Sequence, residues 1–387
     1  MVNVPLALYV HLPWCVRKCP YCDFNSFALQ GTLPEAEYIE ALLADLAIQL
    51  PMVERREIVS IFFGGGTPSL FSPTGLGRLL RTLRTELPLA ADAEITLEAN
   101  PGTIERGRFA DYRAAGITRV SLGAQSFSDQ SLQHLGRIHA AEDTRRAVRE
   151  LRAAGLENFN LDLMYALPQQ ELAAALADVQ RAIELAPTHI SHYELTLEPG
   201  TVFGGRPPAG LPDGDAALAM QLACQERLSQ AGYQQYEVSA YARAGRQCRH
   251  NLNYWLFGDY LGLGAGAHGK SSRRIGEQIA IERTWRSREP RRYLADANSP
   301  PARRTVGSAD LPFEYLMNAL RLRTGFEACE FERATGLSFG VLEPAFDRLT
   351  DRRLVERCGT RWRASPLGYR FLNDVVSEFL PPSVENM

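Results

Sequence analysis

Apolar, β-branched runs alternate with helical patterns through the first 231 residues of this chain, and that rhythm constrains the fold more than any single motif. The runs fall at 6–10, 58–63, 94–98, 119–123, 158–163 and 189–197. Segments 35–50, 75–87, 104–115, 142–154, 171–186 and 213–231 place apolar residues at i, i+3 and i+4. Six alternations call for parallel strands joined by right-handed helical crossovers. Six units are too few to close an eight-fold barrel, so the expected fold is α/β: a partial (β/α)6 barrel over residues 1–235. Residues 236–305 break the rhythm and read as a connecting module, with 283–305 polar and Arg-rich like an exposed linker or hairpin. From 306 to 387, three helical stretches (314–323, 329–336, 339–351) precede an alternating hairpin at 354–364, a pattern similar to a small winged-helix-like α+β domain.

In parallel α/β folds the functional groups sit at the carboxyl ends of the strands. Each strand end here carries something unusual. After the first comes Trp14-Cys15-Val16-Arg17-Lys18-Cys19-Pro20-Tyr21-Cys22, a Cys-x3-Cys-x2-Cys spacing. After the second comes Gly64-Gly65-Gly66-Thr67-Pro68, after the third Glu98-Ala99-Asn100-Pro101, at the fourth Gly123-Ala124-Gln125-Ser126, and within the fifth Asp162. Thiolates this close repel one another unless a cation or an iron cluster neutralises them. Three thiolates leave one corner of a four-iron cluster open, whereas a structural zinc site needs a fourth ligand, for which His11 is the candidate. The remaining cysteines (224, 248, 329, 358) are scattered, the total of seven is odd and no secretory signal precedes the first run, which points to a reducing compartment rather than a disulfide framework.

The triple glycine lets a backbone approach a ligand closely, or simply makes a tight turn; it lacks the spacing of nucleoside triphosphate and dinucleotide loops. Glu98 and Asp162 lie on strands suited to burial, where an unpartnered charge is costly, so a cation is expected near them; Arg137 could pair with a carboxylate of the protein or of a ligand. Each acid could equally belong to a structural ion pair.

Together, Tyr9-Val10-His11-Leu12-Pro13-Trp14-Cys15, the cysteine triplet, Gly-Gly-Gly-Thr-Pro, Glu98, Gln125 and Asp162 resemble the radical S-adenosylmethionine (SAM) superfamily, and within it the coproporphyrinogen dehydrogenase-like branch. The stretches 119–127 and 160–168, with His250-Asn251-Leu252-Asn253-Tyr254-Trp255, are similar to the haem chaperones of that branch. The resemblance implies that Cys15, Cys19 and Cys22 hold a [4Fe-4S] cluster whose fourth iron is chelated by SAM. It also implies that Gly64, Gly65, Gly66 and Thr67 border the methionine end and that Glu98, Gln125, Arg137 and Asp162 surround methionine and ribose. Tyr9 would flank the cluster, Phe24 would lie near the adenine, and His250 is the candidate haem ligand, with Cys248 and His268 as weaker ones.

The dehydrogenases resembled carry a further cysteine where this chain has Phe24, and an extension before the first strand, whereas this strand begins almost at Met1. These departures count against decarboxylation and leave tetrapyrrole binding intact. The leading expectation is a haem chaperone that transfers haem to an acceptor haem protein, one in the membrane included, with a flavodoxin- or ferredoxin-type reductant for the cluster; whether it is also an enzyme stays open. The alternatives are an oxygen-independent coproporphyrinogen III dehydrogenase and a nucleic-acid-modifying radical SAM enzyme. A net charge of −3, and C-terminal arginines interspersed with acids, argue against nucleic acid. No apolar run nears the ~18 residues that cross a bilayer, so the expected location is the cytoplasm, with peripheral membrane contact left open.

Overall fold

The computed structural model describes residues 4–53, 56–103, 108–276 and 278–381. Six parallel strands build the barrel wall: β1 Leu6–Leu12, β2 Ile58–Gly65, β3 Leu89–Ala99, β4 Arg119–Gln125, β5 Phe159–Tyr165 and β6 His189–Glu194. Their crossover helices include α1 Glu35–Val53, α2 Pro73–Glu86, α3 Arg108–Ala115, α4 Ala141–Ala153, α5 Leu172–Glu184 and α6 Gly214–Gln230. The start expected for the third helix, residues 104–107, lies outside the described residues. Local chemistry sets the helix starts: Ser72 accepts from the Gly75 amide ahead of α2, and Asp213 accepts from Ala216 ahead of α6.

The structure adds strands that the βα rhythm did not reveal. Short strands β7 Gln234–Gln235 and β8 Ala240–Ala242 run antiparallel at the β6 edge. At the opposite edge β9 Asp259–Leu263 pairs parallel to β1, and β10 His268–Ile275, β11 Gln278–Trp285 and β12 Ala302–Thr305 follow antiparallel. The twelve-stranded order is β12-β11-β10-β9-β1-β2-β3-β4-β5-β6-β8-β7, an open wall rather than a closed cylinder. The stretch expected to be a connecting module is thus hydrogen-bonded into the main sheet.

Buried ions fasten it there. Asp259 accepts from Lys270 Nζ at 2.9 Å and from Arg56 at 2.6 Å, and the Ser272 amide donates to it as well. Asp45 of α1 pairs with Arg286 and accepts from Tyr293 at 3.0 Å and from the Gly264 amide. Removing one member would strand a buried charge at a cost of about 3–5 kcal/mol.

The C-terminal unit has its own core, in which Tyr315, Phe326, Phe331 and Phe346 meet edge to face. Helices α7 Leu311–Ala319, α8 Ala328–Thr335 and α9 Glu343–Asp351 pack against a three-stranded sheet of β13 Phe326–Glu327, β14 Val355–Cys358 and β15 Arg361–Ala364, a winged-helix arrangement. It presents Arg321, Arg323, Pro366, Leu367 and residues 369–374 to the carboxyl ends of the barrel strands.

Candidate functional site

The strand ends open on a cavity of about 1250 Å³ between the barrel and the C-terminal unit. Cys15, Cys19 and Cys22 line it together with Phe24, Gly65, Gly66, Thr67, Glu98, Gln125, Arg137 and Asp162, so eleven of the fourteen residues expected from sequence share one space.

The cysteine loop is closed at its base. Trp14–Cys15 pairs parallel with Phe27–Ala28, and the amides of Phe27 and Leu29 donate to Pro13 and Cys15, both at 2.8 Å. Within it, the Cys22 amide donates to the Cys19 carbonyl at 3.1 Å, and Lys18 Nζ bridges the carbonyls of Phe24 and Ser26. Burial raises the pKa of the Cys15 and Cys22 thiols, partly offset by hydrogen bonds from Thr67 at Cys15 and Ser26 at Cys22. Arg137 Nη1 donates to Cys19 Sγ at 3.6 Å. A cation joining Cys15 and Cys22 would offset the burial that disfavours their thiolates.

Among the described residues no three His, Cys, Asp or Glu side chains converge tightly enough for a single metal ion, so the thiols surround a space rather than a point. His11, the alternative fourth zinc ligand, has both nitrogens engaged: Nδ1 accepts from the Tyr9 hydroxyl at 3.0 Å and Nε2 donates to the Asn25 carbonyl at 2.8 Å. The donor set fits a multi-iron cluster better than zinc.

The triple glycine is needed for packing as well as approach. Gly65 has φ +122, and a Cβ there would lie 2.6 Å from the His11 ring; at Gly66 it would lie 2.5 Å from the Trp14 carbonyl oxygen. The end of β2 therefore slides beneath the cysteine loop, where Gly66 and Thr67 amides donate to Leu12 and Trp14. Gly64 rests on the Tyr9 and Phe62 rings and does not line the cavity.

Glu98 accepts from the Gly65 amide at 3.1 Å, and burial, then the nearby Asp162, pushes its pKa up to about 8. Burial also raises Asp162, against hydrogen bonds from Asn160 at 2.8 Å and Ser121 at 3.2 Å. The cation both acids feel is the buried Arg119, not Arg137. Arg137 instead donates to Asn100 Oδ1, the Gly123 carbonyl and Cys19, which corrects the expectation of a pairing with a carboxylate of the protein. Gln125 sits at a bulge in β4 with φ +64, a strained conformation for a side-chain-bearing residue.

Two more expected residues lie beneath this space. Tyr9 underlies Gly64, and burial, then Glu98, raises its hydroxyl pKa. His250 does not reach the cavity: its ring stacks on Phe62 at 5.1 Å, Nδ1 is hydrogen-bonded to Ser60 at 3.1 Å and Nε2 to Tyr254 at 2.9 Å. Burial brings its pKa down to about 3, so it is neutral, but neither nitrogen is free for iron, contrary to the expected ligand role. The cavity is likewise not lined by Cys248, buried on the same helical turn, or by His268.

Sequence reasoning missed Asn100, whose amide joins Thr67 to Arg137 at 2.9 Å, although its strand end was flagged. It also missed His192, a buried imidazole stacked on Tyr165 at 4.6 Å, and the far wall formed by Arg321, Arg323, Tyr369 and Phe371. Nothing in the local pattern around 321–323 marks it as facing a site 300 residues earlier in the chain.

Known proteins give the same picture. The Radical SAM superfamily model matches residues 9–180 and the HemN C-terminal domain model matches 308–371. The chain is 49% identical to the protein named Heme chaperone HemW from Escherichia coli, over 97% of this chain and 98% of that one. It is 37% identical to the Heme chaperone HemW of Mycobacterium tuberculosis, over 90% and 91% of the two chains. The solved structure of E. coli coproporphyrinogen III oxidase, HemN, covers 97% of this chain and 90% of its own with a TM-score of 0.81; its 23% identity speaks to the fold alone. On this sequence identity across nearly its whole length, the chain belongs to the HemW heme chaperone family of the radical SAM superfamily.

Proposed function

We propose that this protein binds haem on a radical SAM scaffold and transfers it to an acceptor haem protein. The observation that carries the reading is a single cavity of about 1250 Å³ with three thiols on one wall and the C-terminal unit on the other. Ordinary ligand pockets run to about 300–1,000 Å³, so the space accommodates a second large ligand beside a nucleoside. The HemW relatives support haem as that ligand.

Cys15, Cys19 and Cys22 would hold a [4Fe-4S] cluster, with SAM beside it; when bound and reduced, the cluster can pass an electron to the sulfonium. The protein's own residues bind and orient. Arg137 offsets thiolate charge at Cys19 and fixes Asn100, which fixes Thr67. Glu98 and Asp162 offer hydrogen-bonding partners for a cationic or hydroxyl-bearing ligand, Gln125 and Gly65–Gly66 border it, and Phe24, 61% exposed, offers a flat apolar face at the lip. We further propose a low-potential protein reductant and a cytoplasmic location. No helix among the described residues is long and apolar enough to cross a membrane.

The test is haem titration of anoxically reconstituted protein followed by mixing with an apo haem protein, with and without SAM. A shifted Soret band that moves to the acceptor is the expected result. Absence of binding, or conversion of coproporphyrinogen to protoporphyrinogen, would reject the chaperone reading.

A further inference from the structure

Arg323 and Arg370 line the cavity on its C-terminal wall, opposite the cysteines, and among the described residues neither has a carboxylate within ion-pairing distance. Arg323 is half-buried, whereas Arg370 is exposed at the cavity's edge. Arg323 Nε donates to Gln235 Oε1 at 3.1 Å and its guanidinium lies 4.1 Å from the centroid of the Tyr369 ring, contacts that hold the group in place without neutralising it. The neighbouring Arg321 is engaged differently: it pairs with buried Glu237 at 2.9 Å and lies over the Trp255 face at 4.2 Å. Besides Glu98 and Asp162, the carboxylates of Asp23, Glu194, Glu198 and Asp374 also line the cavity, and none of them pairs with Arg323 or Arg370. A guanidinium fixed in a partly desolvated wall with its charge uncompensated is a receptor for a carboxylate or phosphate.

The surface beside these arginines is apolar. Leu222, Leu367 and Phe371 are 49%, 43% and 48% exposed and all line the same cavity. Large apolar side chains left open together beside unpaired cations complement a ligand that is flat and apolar over most of its area and doubly anionic at one edge.

We propose that Arg323 and Arg370 receive the two propionates of haem, while the macrocycle rests on Leu222, Leu367 and Phe371. The inference rests on the haem-binding reading and specifies it: haem enters propionate-first against the C-terminal unit, and its apolar edge points towards the cluster wall. Trp255 and Glu237 are positioning residues that fix Arg321 behind this edge, so the His-Asn-x-x-Tyr-Trp segment supports the pocket through its last residue rather than ligating iron through its first.

The experiment titrates the full chain, reconstituted under anoxic conditions, with haem and with haem whose propionates are methyl esters, reading the Soret band. The wild type is expected to bind haem about tenfold or more tighter than the diester, the scale of one to two charge-assisted contacts. R323Q/R370Q is expected to lose that preference by weakening haem while leaving the diester unchanged. R323K/R370K should recover part of the preference, and iron content and thermal midpoint serve as folding controls. A wild type that binds neither compound rejects haem binding itself. Equal affinity for haem and diester, or an R323Q/R370Q protein with normal iron content and unaltered preference, overturns the propionate site while leaving haem binding standing.

Discussion

Replacing Glu98 by Gln should remove a pH dependence that this carboxyl imposes on the fold. Its pKa stands at about 8 in the folded chain against an ordinary 4.5, because burial and then Asp162 disfavour the charge. Between these values the folded state keeps a proton that the unfolded chain has released, so the Glu98 contribution to stability falls as pH rises from about 4.5 and levels off above about 8. At ~1.4 kcal/mol per pH unit the ceiling is about 5 kcal/mol, and because Glu98 borders an open cavity that water can enter, a penalty of about 1–3 kcal/mol is expected. The assay is urea unfolding of the cluster-free protein under argon at intervals from pH 5 to 8.5, wild type against E98Q. The two should be close at pH 5 and diverge upward in pH, E98Q becoming the more stable. D162N should move the wild-type transition to lower pH, since Asp162 is the second cause of the shift. A wild-type-minus-E98Q difference that is flat with pH, or that favours wild type at pH 8, would refute the reasoning. The same proton has a consequence for binding: a cationic ligand beside Glu98 must displace it, so affinity should climb with pH towards about 8 in wild type and not in E98Q.

Other substitutions separate packing from ligand contact. Gly66→Ala places a Cβ 2.5 Å from the Trp14 carbonyl oxygen, so the cysteine loop must shift, and reconstituted iron per chain should drop well below wild type. Wild-type iron content in that variant would show that β2 need not pass so closely beneath the loop. His250→Ala removes partners from Ser60 and Tyr254 and a ring from Phe62, at about 2–4 kcal/mol of stability by urea unfolding, with haem binding per folded chain retained. Loss of haem binding at undiminished stability would return His250 to the role of ligand.

The barrel was legible because each parallel strand is a short apolar run and each crossover an amphipathic helix, so two periods alternate along the chain. The site was legible where strand ends placed cysteine, glycine and acids in register, since the topology brings those ends to one rim. The strands β9 to β12 were hidden for a physical reason: their fastening groups are buried ions, and a charged residue reads locally as exposed; Asp259 pairs with Lys270 inside the module, but its other partner Arg56, just after α1, and the Asp45 partner of Arg286, on α1, lie far away in sequence. His250 was misplaced because a neutral imidazole among aromatics looks the same whether it faces a ligand or a serine in the core; only Ser60 and Tyr254 on its two nitrogens decide. The far wall of the cavity had no local signal, because Arg323 and Phe371 come to share the cavity with the cysteine loop only through the packing of a separate core.

Mössbauer spectroscopy of protein reconstituted with 57Fe, before and after adding SAM, addresses the arrangement on which the rest depends. Three thiolates around an open corner should yield about four irons per chain as one cubane, with a single iron site changing its isomer shift when SAM binds. Iron at background levels with stoichiometric zinc, or four irons indifferent to SAM, would contradict it.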